Sequence, residues 1–273
     1  MITTAPAIGY TNARSTSSYL SSLKVSAVLI TFNEDKIIRK TLSQLYWCDE
    51  IIVVDSYSTD DTVSICTEFG CKIYFREFNG YGAQKRYAIS LATNDWVLCI
   101  DADEVLTEPL IAELTANIGE FSQYAGFSFR MNLVFMGKEF LHGKESDRYF
   151  LRLFNKKSGW ITDDKVHESI RVAGPVKKFQ HTIRHYSYTS FHQCMEKLNR
   201  YSTYSAEMAL QKNKTKSLLA IFFGLPYNFF KYYVLERNFL NGLTGFYWSV
   251  VSSYYHFLKY VKLRELRKNN SCI

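Results

Sequence analysis

Two carboxylates one residue apart, Asp101 and Asp103, follow directly on the apolar run Val97-Leu98-Cys99-Ile100. A continuous apolar run of that length reads as a strand buried on both faces of a parallel sheet. Open α/β sheets bind ligands outside the carboxyl ends of their strands. A carboxylate pair at such an end can hold a hard divalent cation, and through it the phosphates of a substrate. The same residues also fit a plainer role, because Asp103 and Glu104 precede a helical segment opened by Glu108-Pro109 and can serve as its acidic N-cap.

Polar groups close other strands in the same half of the chain. Thr31-Phe32-Asn33-Glu34 closes the strand candidate 25–31, and Asp55 follows 51–54. Each has a structural alternative: Asn33 can cap a helix, and Asp55 can fix a turn with Ser56 and Ser58. The segment Gly80-Tyr81-Gly82-Ala83-Gln84-Lys85-Arg86 gives a glycine-flexible helix start with two cations. Free N–H groups there attract phosphate, and Lys85 or Arg86 can neutralise it further. It is not the dinucleotide fingerprint, since no glycine follows the first strand.

These residues need a scaffold, and the first half of the chain alternates accordingly. Strands are predicted over 25–31, 51–54, 71–75 and 96–100. Helices fall between them over 34–45, 60–69 (capped by Thr59-Asp60-Asp61) and 80–91. Strand–helix alternation at this spacing gives right-handed βαβ units and a mostly parallel central sheet flanked by helices, an α/β fold. After Ala125 come shorter, more polar strand candidates over 126–136, 148–154, 168–172 and 181–188, which suggest a mixed half-sheet on the acceptor side of a cleft. From Phe191 the pattern is helical, with one helix over 191–212 and aromatic segments over about 217–237 and 241–260. The expected organisation is a flexible lead-in over 1–22, a catalytic domain over 23–190 and a C-terminal helical, aromatic-rich appendage over 191–273.

Composition narrows the partners. The chain of 273 residues is 47% hydrophobic and carries 20 Tyr, 20 Phe and a net charge of +7, which suits an anionic partner such as a nucleotide, a phosphorylated glycolipid or a membrane surface. The six cysteines show neither CxxC pairing nor metal-finger spacing, which points to a reducing compartment. Residues 1–22 lack the uninterrupted apolar core of a signal peptide. The most apolar stretch, 218–235, contains Pro226, Asn228 and Lys231, which the centre of a bilayer penalises.

Taken in order, Leu29-Ile30-Thr31-Phe32-Asn33-Glu34, Val53-Val54-Asp55-Ser56-Tyr57-Ser58-Thr59-Asp60, the segment 80–86 and Asp101-Ala102-Asp103-Glu104 resemble family-2 glycosyltransferases of the GT-A fold. The resemblance is closer to a bacterial subgroup, the lipopolysaccharide-core β-1,4-glucosyltransferase-like enzymes. Arg152-Leu153-Phe154, Val166-His167-Glu168, His185-Tyr186-Ser187-Tyr188 and Lys197-Leu198-Asn199-Arg200-Tyr201 carry it, and the match covers about 24–260. It implies that Thr31, Asn33, Glu34 and Asp55 surround the nucleotide of a UDP-sugar donor. Lys85, Arg86, Asp101 and Ala102 would then lie toward its diphosphate. A divalent cation, Mg or Mn, would be held by Asp103 above all, with Asp101. The reaction implied is inverting displacement at the anomeric carbon of the donor sugar, a hexose such as glucose. The acceptor is then a glycolipid or oligosaccharide of a bacterial cell-surface glycan.

Inversion needs a carboxylate to take the acceptor's proton. The candidates are Glu168, Asp164 and Asp147, with Glu168 preferred for its place beside His167, itself either a further metal ligand or a residue that orients the acceptor. Asp147-Arg148 can instead be a structural ion pair. The rings of 217–260, interleaved with lysine and arginine, suit helices in a membrane interface, which predicts a cytoplasmic enzyme peripheral on the inner face of the cytoplasmic membrane. Packing on the catalytic domain or a dimer interface is the alternative. No nucleic-acid recognition module accompanies the rings. A nucleotidyltransferase and a non-catalytic glycan- or membrane-binding scaffold remain as competing functions. The first is disfavoured by the absence of a glycine- and arginine-rich loop after the first strand.

Overall fold

The computed structural model describes residues 23–162, 169–188 and 190–270. The lead-in 1–22 lies outside the described residues, as do Asp163, Asp164, His167 and Glu168. The chain forms two compact units interleaved along the sequence. The first comprises Met1–Ala102, Thr107–Phe129 and Leu151–His181, and the second Asp103–Leu106, Arg130–Phe150 and Thr182–Ile273.

In the first unit the predicted strands form as β1 (Val25–Thr31), β2 (Glu50–Asp55), β3 (Lys72–Phe75) and β4 (Trp96–Cys99). They pair in parallel in the order β3-β2-β1-β4, with Ile30 opposite Val54 and Val28 opposite Cys99. Val28, Ile52, Val54, Val97 and Cys99 form one buried cluster with Ala88, Ala92 and Phe154, so the apolar runs are covered by α3 (Tyr81–Leu91). Beside β4 the sheet turns antiparallel. β8 (Arg148–Asn155) pairs Leu98 with Leu153 and Trp96 with Asn155. Trp96, Phe121, Phe127 and Phe179 pack ring on ring at centroid distances of 4.6–5.6 Å. This completes an α/β fold with a mostly parallel sheet.

Two local expectations are corrected. The helix predicted over 34–45 contracts to α1 (Ile38–Leu42). Ile37, Ile38, Leu42 and Leu45 are buried as their spacing requires. At one end, however, the Glu34 and Asp35 amides bond to Thr62 and Asp60, and at the other Gln44 and Leu45 bond three residues back, which tightens the last turn. Asp103 and Glu104 do not cap the following helix. Glu104–Leu106 is a buried strand, β5, and Thr107 occupies the N-cap position of α4 (Glu108–Ala116), with Pro109 in its first turn.

The second unit contains β5, paired antiparallel with the end of β11 (Val176–Tyr188) through Leu106–Ile183 and Glu104–His185. The end of β6 (Gly126–Phe135) turns back into β7 (Lys138–Glu139). Met136 and Gly137, both at positive φ, make the two-residue hairpin turn. The predicted helix at Phe191 forms as α5 (Phe191–Gln211), its N-terminus capped by Ser190, and packs against α8 (Leu243–Asn270). Cys194 and Leu198 meet Val251, Ala206 and Ala209 meet Leu263, and Lys262 bonds Asn199, Ser202 and Thr203. The aromatic segment over 217–237 is helical but interrupted, forming α6 (Leu218–Phe222), α7 (Gly224–Phe230) and a π-turn over Lys231–Leu235, ended by Arg237 at φ 58°. Among the described residues, Leu218–Leu235 is the one stretch long and apolar enough to cross a membrane, with a mean hydropathy of 1.3 and 6% of it buried. The described cysteines are all free.

Candidate active site

The carboxyl ends of β1 and β2 are joined by side chains. Asp55, fully buried, accepts from Thr31 Oγ1 at 2.8 Å, from the Ser58 amide at 2.7 Å and from Ser58 Oγ at 2.6 Å. Ser58 Oγ in turn accepts from the Asn33 amide at 2.9 Å, and Asn33 Oδ1 accepts from the Thr59 amide at 2.8 Å. Glu34 and Asp35 donate to Thr62 Oγ1 and Asp60 Oδ2 at 2.7 and 3.1 Å. Asn33 at φ 55° and Tyr57 at φ 63° supply the left-handed backbone the two loops require, and Asn tolerates this region better than most residues. Asp55 therefore does fix a turn with Ser58. Asn33 ties one loop to the other and caps no helix.

Around this rim stand exposed rings. Phe32, Tyr57 and Phe75 are each exposed by half or more, and Tyr57 stacks on Phe75 with centroids 5.8 Å apart. Sequence reasoning passed over all three. The signal available was an aromatic residue inside each polar strand-end segment.

Helix α3 brings its cation to the end of β4. Gln84 anchors the first turn, donating to Ser56 Oγ and the Arg76 carbonyl at 3.1 and 3.0 Å. Lys85, one residue on, lies nearly buried with Nζ 2.7 Å from Asp101 Oδ1. Burial alone would pull the Lys85 ammonium below an ordinary lysine, but the Asp101 charge more than reverses this and its pKa is raised. Arg86, about 100° further round the helix, is exposed and donates to the Thr162 carbonyl at 3.4 Å. Of the two candidate cations, Lys85 is the one placed at the carboxylate. A second cation reaches Asp101 from β8: Arg152 Nη2 lies 3.5 Å from Oδ2. The register pairing Leu98 with Leu153 carries Arg152 to the end of β4. Arg152 was visible in the sequence only as part of a motif, with no role attached. Ala102 is buried, and its carbonyl accepts from Thr41 Oγ1 at 2.6 Å.

Asp103 belongs to the second unit. There its Oδ2 lies 3.4 Å from His185 Nε2, and its carbonyl accepts from the Tyr186 amide at 2.8 Å. Asp103 and His185 offer one carboxylate and one imidazole, a donor set that suits a divalent cation completing its shell with water and phosphate oxygens. Asp101, held by two cations, is a poorer ligand. Among the described residues no group of three or more His, Cys, Asp or Glu is arranged to hold a metal. Asp147, also in the second unit, is exposed and lines a cavity of about 410 Å³ with Arg130, His142, Lys144, Glu236 and Arg237. The suggested Asp147–Arg148 ion pair is not formed; Arg148 bonds to Glu145 instead.

A parallel sheet whose polar strand ends gather a buried carboxylate, two cations and exposed rings belongs to the class of open α/β folds that take ligands at the carboxyl ends of their strands. The chain belongs to glycosyl transferase family 2, whose description matches residues 26–170. It is 33% identical over 258 residues to an uncharacterized glycosyltransferase of Rickettsia conorii, covering 89% of this chain and 90% of that protein. It is 26% identical to the lipopolysaccharide core biosynthesis glycosyltransferase LpsC of Rhizobium meliloti, covering 90% of this chain and 94% of that one. Among solved structures, S. aureus TarS aligns with a TM-score of 0.45 and 17% identity over 67% of this chain and 40% of that one. A glucosyl-3-phosphoglycerate synthase from Mycobacterium tuberculosis, in complex with Mn2+, uridine diphosphate and glucosyl-3-phosphoglycerate, aligns with a TM-score of 0.36 and 23% identity over 48% and 51%.

Proposed function

We propose that this glycosyltransferase moves a hexose, with inversion, from a nucleotide-diphosphate donor, a UDP-sugar, to a glycolipid or oligosaccharide acceptor of the lipopolysaccharide type. The observation that carries the donor reading is the Lys85–Asp101–Arg152 group, where two cations meet one carboxylate at the end of β4. Among the described residues that is an excess of positive charge, which suits a diphosphate, and Lys85 and Arg152 can donate to its oxygens. Asn33 and Glu34, on a rim that buried Thr31 and Asp55 brace from within, present polar edges to a nucleoside, and Phe32 and Tyr57 offer ring faces for its base. The LpsC relative supports the acceptor class.

Asp103 and His185 are the residues that would hold a divalent cation, magnesium or manganese. When bound, such an ion acts as a Lewis acid that stabilises charge on the departing diphosphate. Glu168 is assigned as the base that takes the acceptor's proton, with Asp164 and Asp147 in reserve, and His167 as a further ligand or orienting group. Residues 23–190 carry the catalysis in this reading. Residues 191–273 make peripheral contact with the inner face of the cytoplasmic membrane, where a glycolipid acceptor is reached.

Calorimetric titration of uridine diphosphate with and without manganese tests the donor and metal assignments together. Tight binding with manganese, weakened by Asp103→Asn, is expected; binding indifferent to manganese removes the role given to Asp103. Glu168→Gln should keep donor affinity and lose transfer, and full turnover would move the base to Asp164 or Asp147.

A further inference from the structure

The last turns of α8 and the loop before α6 enclose a cavity of about 630 Å³ that no step of the transfer uses. Four cations line it, Lys216, Arg264, Arg267 and Lys268, against the single acid Glu265. Arg267 and Lys268 lie in the last turn of α8, where cations complement the helix dipole. That explanation does not reach Lys216, which comes from the opposite wall and sits over the Tyr260 ring at 4.2 Å. The positive potential registers on a neighbour. Lys259 titrates below an ordinary lysine, first through burial and then through the charges of Lys214 and Lys216.

The lip of this cavity runs directly into apolar surface. Lys216 is followed by Ser217, which caps α6, and then by Leu218, Leu219, Phe222 and Phe223, which are 60–71% exposed. Four adjacent large apolar side chains left in water are costly for a monomer. We propose that this corner of the second unit is a membrane-docking surface: the cavity takes the phosphate of an anionic phospholipid headgroup, and α6 enters the interface beside it. The pairing decides for a bilayer over an acidic protein, because a bilayer alone presents phosphate and hydrocarbon within one helical turn of each other. This deepens the proposed membrane contact and rests on that part of the functional reading.

The test is co-sedimentation of the full chain with vesicles of phosphatidylcholine, with and without phosphatidylglycerol. The wild type should partition strongly onto the anionic vesicles only. Lys216→Gln with Arg264→Gln and Lys268→Gln should lower that partition about 150-fold, equivalent to about 1 kcal/mol per cation. Leu219→Asp with Phe222→Asp should leave binding that moderate salt reverses. Equal binding to both vesicle types overturns the proposal, as does an unchanged triple variant. Self-association abolished by Leu219→Asp with Phe222→Asp, without vesicle binding, assigns the surface to a second copy and overturns it too. Uridine diphosphate titration of the same variants should be unaltered. A wild type that binds vesicles but no nucleotide would therefore sink the donor reading and leave this one standing.

Discussion

The Lys85–Asp101 pair permits a worked prediction. At 2.7 Å and an effective dielectric of about 20, its raw attraction is about 6 kcal/mol. Most of this offsets the desolvation of an ammonium whose side chain is only 9% exposed. Asp101, 31% exposed and 3.5 Å from Arg152, keeps a partner when Lys85 is removed. Lys85→Met should therefore cost about 1 kcal/mol. Asp101→Asn strands a nearly buried ammonium and should cost about 3 kcal/mol. The double variant should cost about 2 kcal/mol, because the stranded charge is gone, leaving a coupling of about 2 kcal/mol. At about 3 °C per kcal/mol for a chain of this size, the melting temperature should fall by about 3, 9 and 6 °C in turn. Thermal unfolding followed by circular dichroism reads these shifts. Uridine diphosphate titration of Lys85→Met should show affinity reduced roughly ten-fold, the value of one charge-assisted hydrogen bond. If the double variant loses as much as the two single variants combined, the pair is not coupled and the reasoning fails.

Two further outcomes concern the scaffold. Burial pushes the Glu50 carboxyl up, but hydrogen bonds from Lys72, Ser26 and Thr93 more than reverse this and hold it at about 2. Because its folded pKa is depressed, its contribution is complete above the ordinary value of 4.5 and is lost as pH falls toward 2. That contribution is at most about 3 kcal/mol. The wild type should lose more melting temperature than Glu50→Gln across that interval, and parallel curves would contradict the assignment. At Asn33, held at φ 55°, alanine should cost about 2 kcal/mol through strain and the lost Thr59 bond, and glycine about 1 kcal/mol. Equal losses in the two thermal melts would show that backbone strain plays no part.

β1, β2 and β4 were legible because strands buried on both faces must carry apolar runs, and 27–30, 51–54 and Trp96–Cys99 are such runs. The polar residues closing them were legible for the same reason, as interruptions of those runs. β5 was not, since its first residue is an acid, and only tertiary packing buries Glu104. Nor were the partners of the two aspartates. Arg152 reaches Asp101 through the register of β8 on β4, and His185 reaches Asp103 through that of β11 beside β5. Such pairings join residues fifty to eighty positions apart, which no local spacing encodes. The tail was legible as helix but not as interrupted helix. Pro226, which the centre of a bilayer penalises, lies in the first turn of a new helix, where a missing N–H costs nothing.

The loops after β1 and β2 owe their shape to side chains that cap one another's amides, from Asn33 through Ser58 and Thr59 to Thr62. Ordinary strand-end loops surrender conformational freedom when a ligand arrives, and that loss is subtracted from affinity. Here the freedom was surrendered during folding. If this edge takes the proposed donor, the guest meets a mould already set, so tightness of grip would depend on residues such as Thr62 whose hydroxyls are turned inward, and drift at those positions would loosen recognition from behind.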